Sequence, residues 1–134
     1  MSCIFCKIIA GGIPSFKVME NEGAYAFLDI NPAMRGHTLV APKVHADDIF
    51  AIDAESLMQV TALTKSVATL LVDRLGAKGT SIFQFNRAEG GQSVFHLHFH
   101  VVPRWSADEL KSPWTEAPGD MSELKATHDV LVAD

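Results

Sequence analysis

The chain has 134 residues, 48% of them apolar, and a formal charge of −5 spread without blocks. That is the length of one ordinary domain with enough apolar material for a core, and the acidic balance argues against a nucleic-acid-coating role while allowing a small phosphorylated ligand held by backbone N–H groups. No apolar run approaches the ~20 residues of a spanning helix, and the start Met1-Ser2-Cys3-Ile4-Phe5-Cys6 lacks the pattern of an export signal, so we expect a soluble, cytoplasmic chain with no membrane partner.

Ile4 to Ala10 reads as a short helix ended by Gly11-Gly12 and Pro14. Phe16 to Glu20 reads as a strand, Asn21-Glu22-Gly23 as a turn, and Ala24 to Asp29 as a second strand. Asn31-Pro32 opens a loop closing at Arg35-Gly36, and His37 to Ala41 is a third strand stopped by Pro42. Asp53 caps a long helix from Ala54 to Leu75, and Gly76 ends it. Leu57, Val60, Thr64, Val67 and Leu71 form its inward stripe. Thr80 to Asn86 and Val94 to Val102 read as the fourth and fifth strands, joined by a polar, Gly-containing loop. A last short helix is expected at 122–132, after an irregular stretch holding Trp105 and Trp114. The sum is an α+β fold: a five-stranded, mainly antiparallel sheet with one long helix and a short N-terminal helix.

The fifth strand carries the chemistry. In His96-Leu97-His98-Phe99-His100 three histidines alternate with large apolar residues. With a side-chain period of two, His96, His98 and His100 share one face and Leu97, Phe99 and Val101 the other. Three readings follow: a half-exposed strand with solvated histidines, a metal site, or a nucleophilic imidazole with supports. Neutral imidazole has a pKa near ~6.5 and attacks phosphorus well at neutral pH. Gly90-Gly91-Gln92-Ser93 lies just before the strand and Asn86 just before that loop. Such a loop offers N–H groups, a hydroxyl and amides to a phosphate, which favours the third reading over the other two.

His96-Leu97-His98-Phe99-His100-Val101-Val102 resembles the full signature of the histidine triad superfamily. The opening Ile4-Phe5-Cys6-Lys7-Ile8-Ile9 with Ile13-Pro14 is similar to that family's start, as are Phe27-Leu28-Asp29-Ile30-Asn31-Pro32, Gly36 to His45, and Gly91-Gln92-Ser93-Val94 in their order. The resemblance covers roughly residues 3 to 105 and is nearest to the Hint-like branch, especially bacterial members with an N-terminal Cys pair. It implies a catalytic domain over residues 1–105 and a tail over 106–134 that packs on the domain or on a dimer partner. Trp105 or Trp114 is a candidate for that contact, though ordinary packing explains either.

The implied activity is cleavage of a nucleoside monophosphate from its leaving group at the α-phosphate, through a nucleotidyl-histidine intermediate. A purine nucleoside phosphoramidase is favoured over a dinucleoside polyphosphate hydrolase or a non-enzymatic nucleotide-binding protein. His98 is then the nucleophile, its tautomer fixed by a hydrogen bond to the His96 carbonyl. His100, Ser93 and His37 assist; His37 reads equally well as a buried strand histidine. Asn86, Gln92, Ser93 and Val94 meet the phosphate, and Asp29 the ribose hydroxyls, although an aspartate there also caps a turn. Phe5, Phe27 and Ile30 wall the base or simply fill the core. For the Cys pair, two thiols supply only half of a zinc site. The resemblance supplies the rest, implying one structural zinc on Cys3, Cys6, His45 and His96. It also implies a homodimer.

Overall fold

The computed structural model describes residues 3–107 and residues 118, 120–122, 125, 126 and 129 of the tail. Helix α1 (Ile4–Ile9) comes first, then strands β1 (Lys17–Glu20), β2 (Ala24–Leu28) and β3 (Thr38–Pro42), helix α2 (Ala54–Leu75), β4 (Gly79–Gln84) and β5 (Phe99–Arg104). The strands form one sheet in the order β1-β2-β3-β5-β4, and every neighbouring pair is antiparallel. Among the described residues no helix is long and apolar enough to cross a membrane.

Helix α2 begins and ends where its capping residues dictate. The Asp53 carboxylate accepts from the Ser56 N–H at 3.0 Å, satisfying one of the first turn's orphan donors. Gly76, at φ 70°, supplies the left-handed cap, and its N–H returns to the Val72 carbonyl. The buried stripe is Val60, Leu63, Thr64, Val67 and Leu71; Leu57, expected there, is only half-buried. This stripe packs on Ala24, Ala26, Val40, Leu97 and Val101, each large side chain contributing about 1.5–3 kcal/mol by burial. Gly36, at φ 88°, lies so close under α2 that a Cβ would sit 2.6 Å from Leu75 Cδ1, so the turn into β3 requires glycine.

The expected fifth strand is shorter at its start than its pattern suggested. Pairing begins at Phe99, opposite Val40 on β3 and Gln84 on β4. Continuing that register places Leu97 opposite Pro42, which has no N–H to give. The Leu97 N–H instead donates to the Ala46 carbonyl at 2.8 Å. His96 and His98 therefore precede the ladder, yet the alternation of faces survives. Leu97 and Val101 lie in the core beneath α2, while His98 and His100 line a cleft on the other face. The fourth strand likewise stops at Gln84, leaving Phe85 and Asn86 in the connection. Trp114 lies outside the described residues, as does much of the expected last helix, of which Ser122, Lys125, Ala126 and Asp129 are described and helical.

Candidate active site

The cleft has a volume of about 400 Å³ and lies where α1 crosses the sheet. Its inner wall is a small core of Phe5, Phe27, Leu39 and Ala41. Phe5 and Phe27 meet edge to face at 5.3 Å, so these two rings both fill the core and face the cleft. Ile30, 78% exposed, stands at the rim. Ser93 and Val94 line it, as does Asp29 at the end of β2. One Asp29 oxygen caps its own turn through the Asn31 N–H at 2.8 Å. Ile8, Ile13, Pro14 and Leu39 also line the wall; the sequence places them in family-like segments without a cleft role, and the Ile4/Ile8 spacing on α1 is the available signal.

The tautomers of three histidines follow from their partners. His98 Nδ1 lies 2.7 Å from the His96 carbonyl oxygen. A carbonyl only accepts, so Nδ1 carries the proton and Nε2 keeps its lone pair. This is the hydrogen bond expected from the sequence. The Ala33 N–H donates to His37 Nδ1 at 3.0 Å, which puts the proton of the neutral His37 ring on Nε2. That nitrogen is 3.0 Å from His100 Nδ1 and 3.5 Å from an Asp29 carboxylate oxygen. His100 thus accepts at Nδ1 and presents Nε2–H as a donor. Burial lowers the pKa of His98 against the opposing pull of the His96 carbonyl and Asp29. Burial, then the neighbouring His98 and His37, push His100 down to about 4. Both rings are therefore neutral at physiological pH. The edge of Phe5 stands against the His98 ring at 5.0 Å and helps hold it.

Two expected phosphate ligands lie outside the cleft lining. Gln92 is buried, with its amide oxygen accepting the Arg87 N–H at 2.6 Å and its nitrogen donating to the Asp47 and Val94 carbonyls at 2.6 and 3.0 Å. It braces the loop that carries Ser93. Asn86 exchanges amide hydrogen bonds with Gln84 and accepts the Ile49 N–H at 2.8 Å.

Beside the cleft, Cys3, Cys6, His45 and His96 converge. His96 donates Nε2–H to the Pro42 carbonyl at 2.8 Å, and His45 pairs its Nε2 with Asp47 at 2.7 Å. Each ring therefore turns its Nδ1 inward. Those two nitrogens are 3.2 Å apart, with sulfur 3.3 Å from one and 3.4–3.5 Å from each. Atoms this close must share either a proton, which the Asp47 hydrogen bond that raises the His45 pKa makes available, or a metal cation. Tetrahedral zinc, with Zn–N about 2.0 Å and Zn–S about 2.3 Å, has N–N edges near 3.3 Å and N–S edges near 3.5 Å. The donor set fits that ion in chemistry and in spacing, and the outward N–H bonds are the supports that metal-bound histidines use. Burial and the adjacent Cys3 raise the Cys6 thiol, an obstacle that a dication removes by holding both sulfurs as thiolates. Asp47 is a support that the sequence does not announce, apart from its place two residues after His45.

The family model described as HIT domain matches residues 10–107. The chain is similar to an uncharacterized HIT-like protein of Mycoplasma pneumoniae, 49% identical over 78% of this chain and 72% of that one. It is 38% identical to an adenosine 5'-monophosphoramidase of Schizosaccharomyces pombe, over 94% and 92% of the two chains. Among solved structures, a Zn-bound histidine triad family protein from Mycobacterium smegmatis matches with a TM-score of 0.79 at 33% identity, covering 98% of each chain. With three histidines in sequence, the five-stranded sheet and these relatives, the chain belongs to the HIT family.

Proposed function

We propose that this chain is a purine nucleoside phosphoramidase that works through a nucleotide covalently held on His98. The observation that carries the reading is the His98 Nδ1 to His96 carbonyl hydrogen bond, which leaves Nε2 unprotonated beside the cleft. The yeast relative named as an adenosine 5'-monophosphoramidase supports the reaction class. The Nε2 lone pair forms the N–P bond, and the P–N bond to the leaving amine breaks with its electron pair. The amine takes up a proton and departs. Water then forms a P–O bond, loses a proton to solvent, and returns the electron pair to His98. Two such displacements are easier than one direct attack by water.

Other residues hold the phosphate and nucleoside. His100 donates from Nε2 to a phosphoryl oxygen, and His37 fixes that orientation. Ser93 and the Val94 backbone bind the phosphate, Gln92 braces the loop that carries them, and Asn86 joins the end of β4 to Ile49. The Asp29 oxygen not used in its turn accepts from the ribose, and Phe5, Phe27 and Ile30 enclose the base. Cys3, Cys6, His45 and His96 hold one zinc ion, which is structural and ties α1 to the His98 segment. We assign residues 1–105 to the catalytic domain and 106–134 to a tail packing on it or on the second subunit of a homodimer, in the cytoplasm. The test is His98→Ala. Turnover of an AMP phosphoramidate should fall by at least about a thousandfold while AMP binding persists; a variant that keeps its turnover contradicts the assignment.

A further inference from the structure

A second cleft, also of about 400 Å³, opens on the other side of Ser93. Ile4, Ser93 and Val94 line both clefts, so a ligand can run from one into the other past the Ser93 hydroxyl. His98 and His100 line only the first. The second has apolar walls in Ile4 and Phe95, which are 48% and 51% exposed, and one carboxylate, Asp47. Asp47 uses one oxygen on His45, and its side chain is 66% exposed.

Asp47 is the one carboxylate among the described residues lining this cleft, and only one of its oxygens is engaged by His45. The geometry of displacement points the same way. An in-line reaction sends the leaving group away from the nucleophile, and the nucleoside occupies the space between Asp29 and Phe5. A phosphate at Ser93 borders the second cleft, because Ser93 lines both.

We propose that this cleft is the leaving-group subsite, and that Asp47 makes it selective for amines whose short apolar stem ends in an ammonium group. The stem lies on Ile4 and Phe95, and the ammonium pairs with the Asp47 oxygen that His45 leaves open. This rests on the phosphoramidase reading, and deepens it by naming the substrate class. Because Asp47 is largely in water, the preference is modest, about threefold to fivefold in kcat/KM.

The test uses the intact, zinc-loaded protein and three AMP phosphoramidates of equal stem length, ending in ammonium, methyl or carboxylate. The expected order of kcat/KM is ammonium, then methyl, then carboxylate. In Asp47→Asn the ammonium-to-methyl ratio falls to one, whatever the absolute rate. Bound zinc stays near one per chain, because the amide oxygen still accepts from His45. Should that variant fold poorly, the wild-type protein answers alone: raising salt from about 0.02 to about 0.5 M must collapse the preference. Equal turnover of the ammonium and methyl substrates at low salt, or a preference that survives Asp47→Asn, overturns the subsite while leaving the phosphoramidase standing. If none of the three is turned over, the phosphoramidase reading and the subsite fall together.

Discussion

Removing the Gln92 amide tests whether the catalytic loop is held from behind. Gln92 is 5% exposed and satisfies three backbone groups, the Arg87 N–H and the Asp47 and Val94 carbonyls. Arg87 has φ 65°, a conformation that a non-glycine residue keeps only when its surroundings hold it. Gln92→Ala leaves one donor and two acceptors without partners. At about 1 kcal/mol each, with water reaching part of the gap, the loss is about 3 kcal/mol. For a chain of this size that lowers Tm by about 10 °C. Ser93 is the next residue, so the loosened loop should also reduce phosphoramidase kcat/KM by about tenfold. Gln92→Glu has the same shape but turns a carboxylate oxygen toward two carbonyls, and should be worse than Ala. Thermal unfolding followed by circular dichroism, with kinetics on the same samples, reads both effects. A Tm change under about 2 °C in both variants would refute the bracing argument.

Three further outcomes are expected. His100 has a folded pKa of about 4, below the ordinary value near 6.5, so the unfolded chain binds its proton more readily. Stability is then complete above about pH 6.5 and lost as pH falls toward 4, by roughly 1–2 kcal/mol after allowing for solvent at its open edge. Denaturant midpoints at pH 7 and pH 5 should show this loss, and His100→Gln should reduce it; an unchanged pH dependence would count against the buried neutral ring. Cys6→Ala should cut bound zinc from near one per chain to under about a tenth by elemental analysis, with a lower Tm; full metal retention would contradict the four-ligand site. His37→Ala frees the His100 tautomer and should lower kcat/KM by about tenfold or more, with wild-type kinetics as the contrary result.

Elements whose ends are set by their own residues were legible in the sequence. Asp53 and Gly76 bound α2 as they stand, because capping is local. The start of β5 was not legible, because it depends on a missing donor at Pro42, far away in the chain. Periodicity placed His98 and His100 on the face opposite Leu97 and Val101, and that part held without the ladder. The Cys pair was visible as half a metal site, but His45 and His96 lie 39 and 90 residues from Cys6. Only the fold, or likeness to a family, brings them together. Asn86 and Gln92 show a further limit. An amide beside a Gly-rich loop serves equally well as ligand or as brace, and the choice depends on which backbone groups lie within reach.

The central claim is that the His98 Nε2 lone pair attacks phosphorus. Acid-quenched mass spectrometry during turnover of an AMP phosphoramidate tests it most directly. We predict a single adenylyl group, localised by fragmentation to His98 and absent from His98→Ala. Steady turnover under rapid quench with no label on any histidine, or label on His96 or His100 instead, would contradict it.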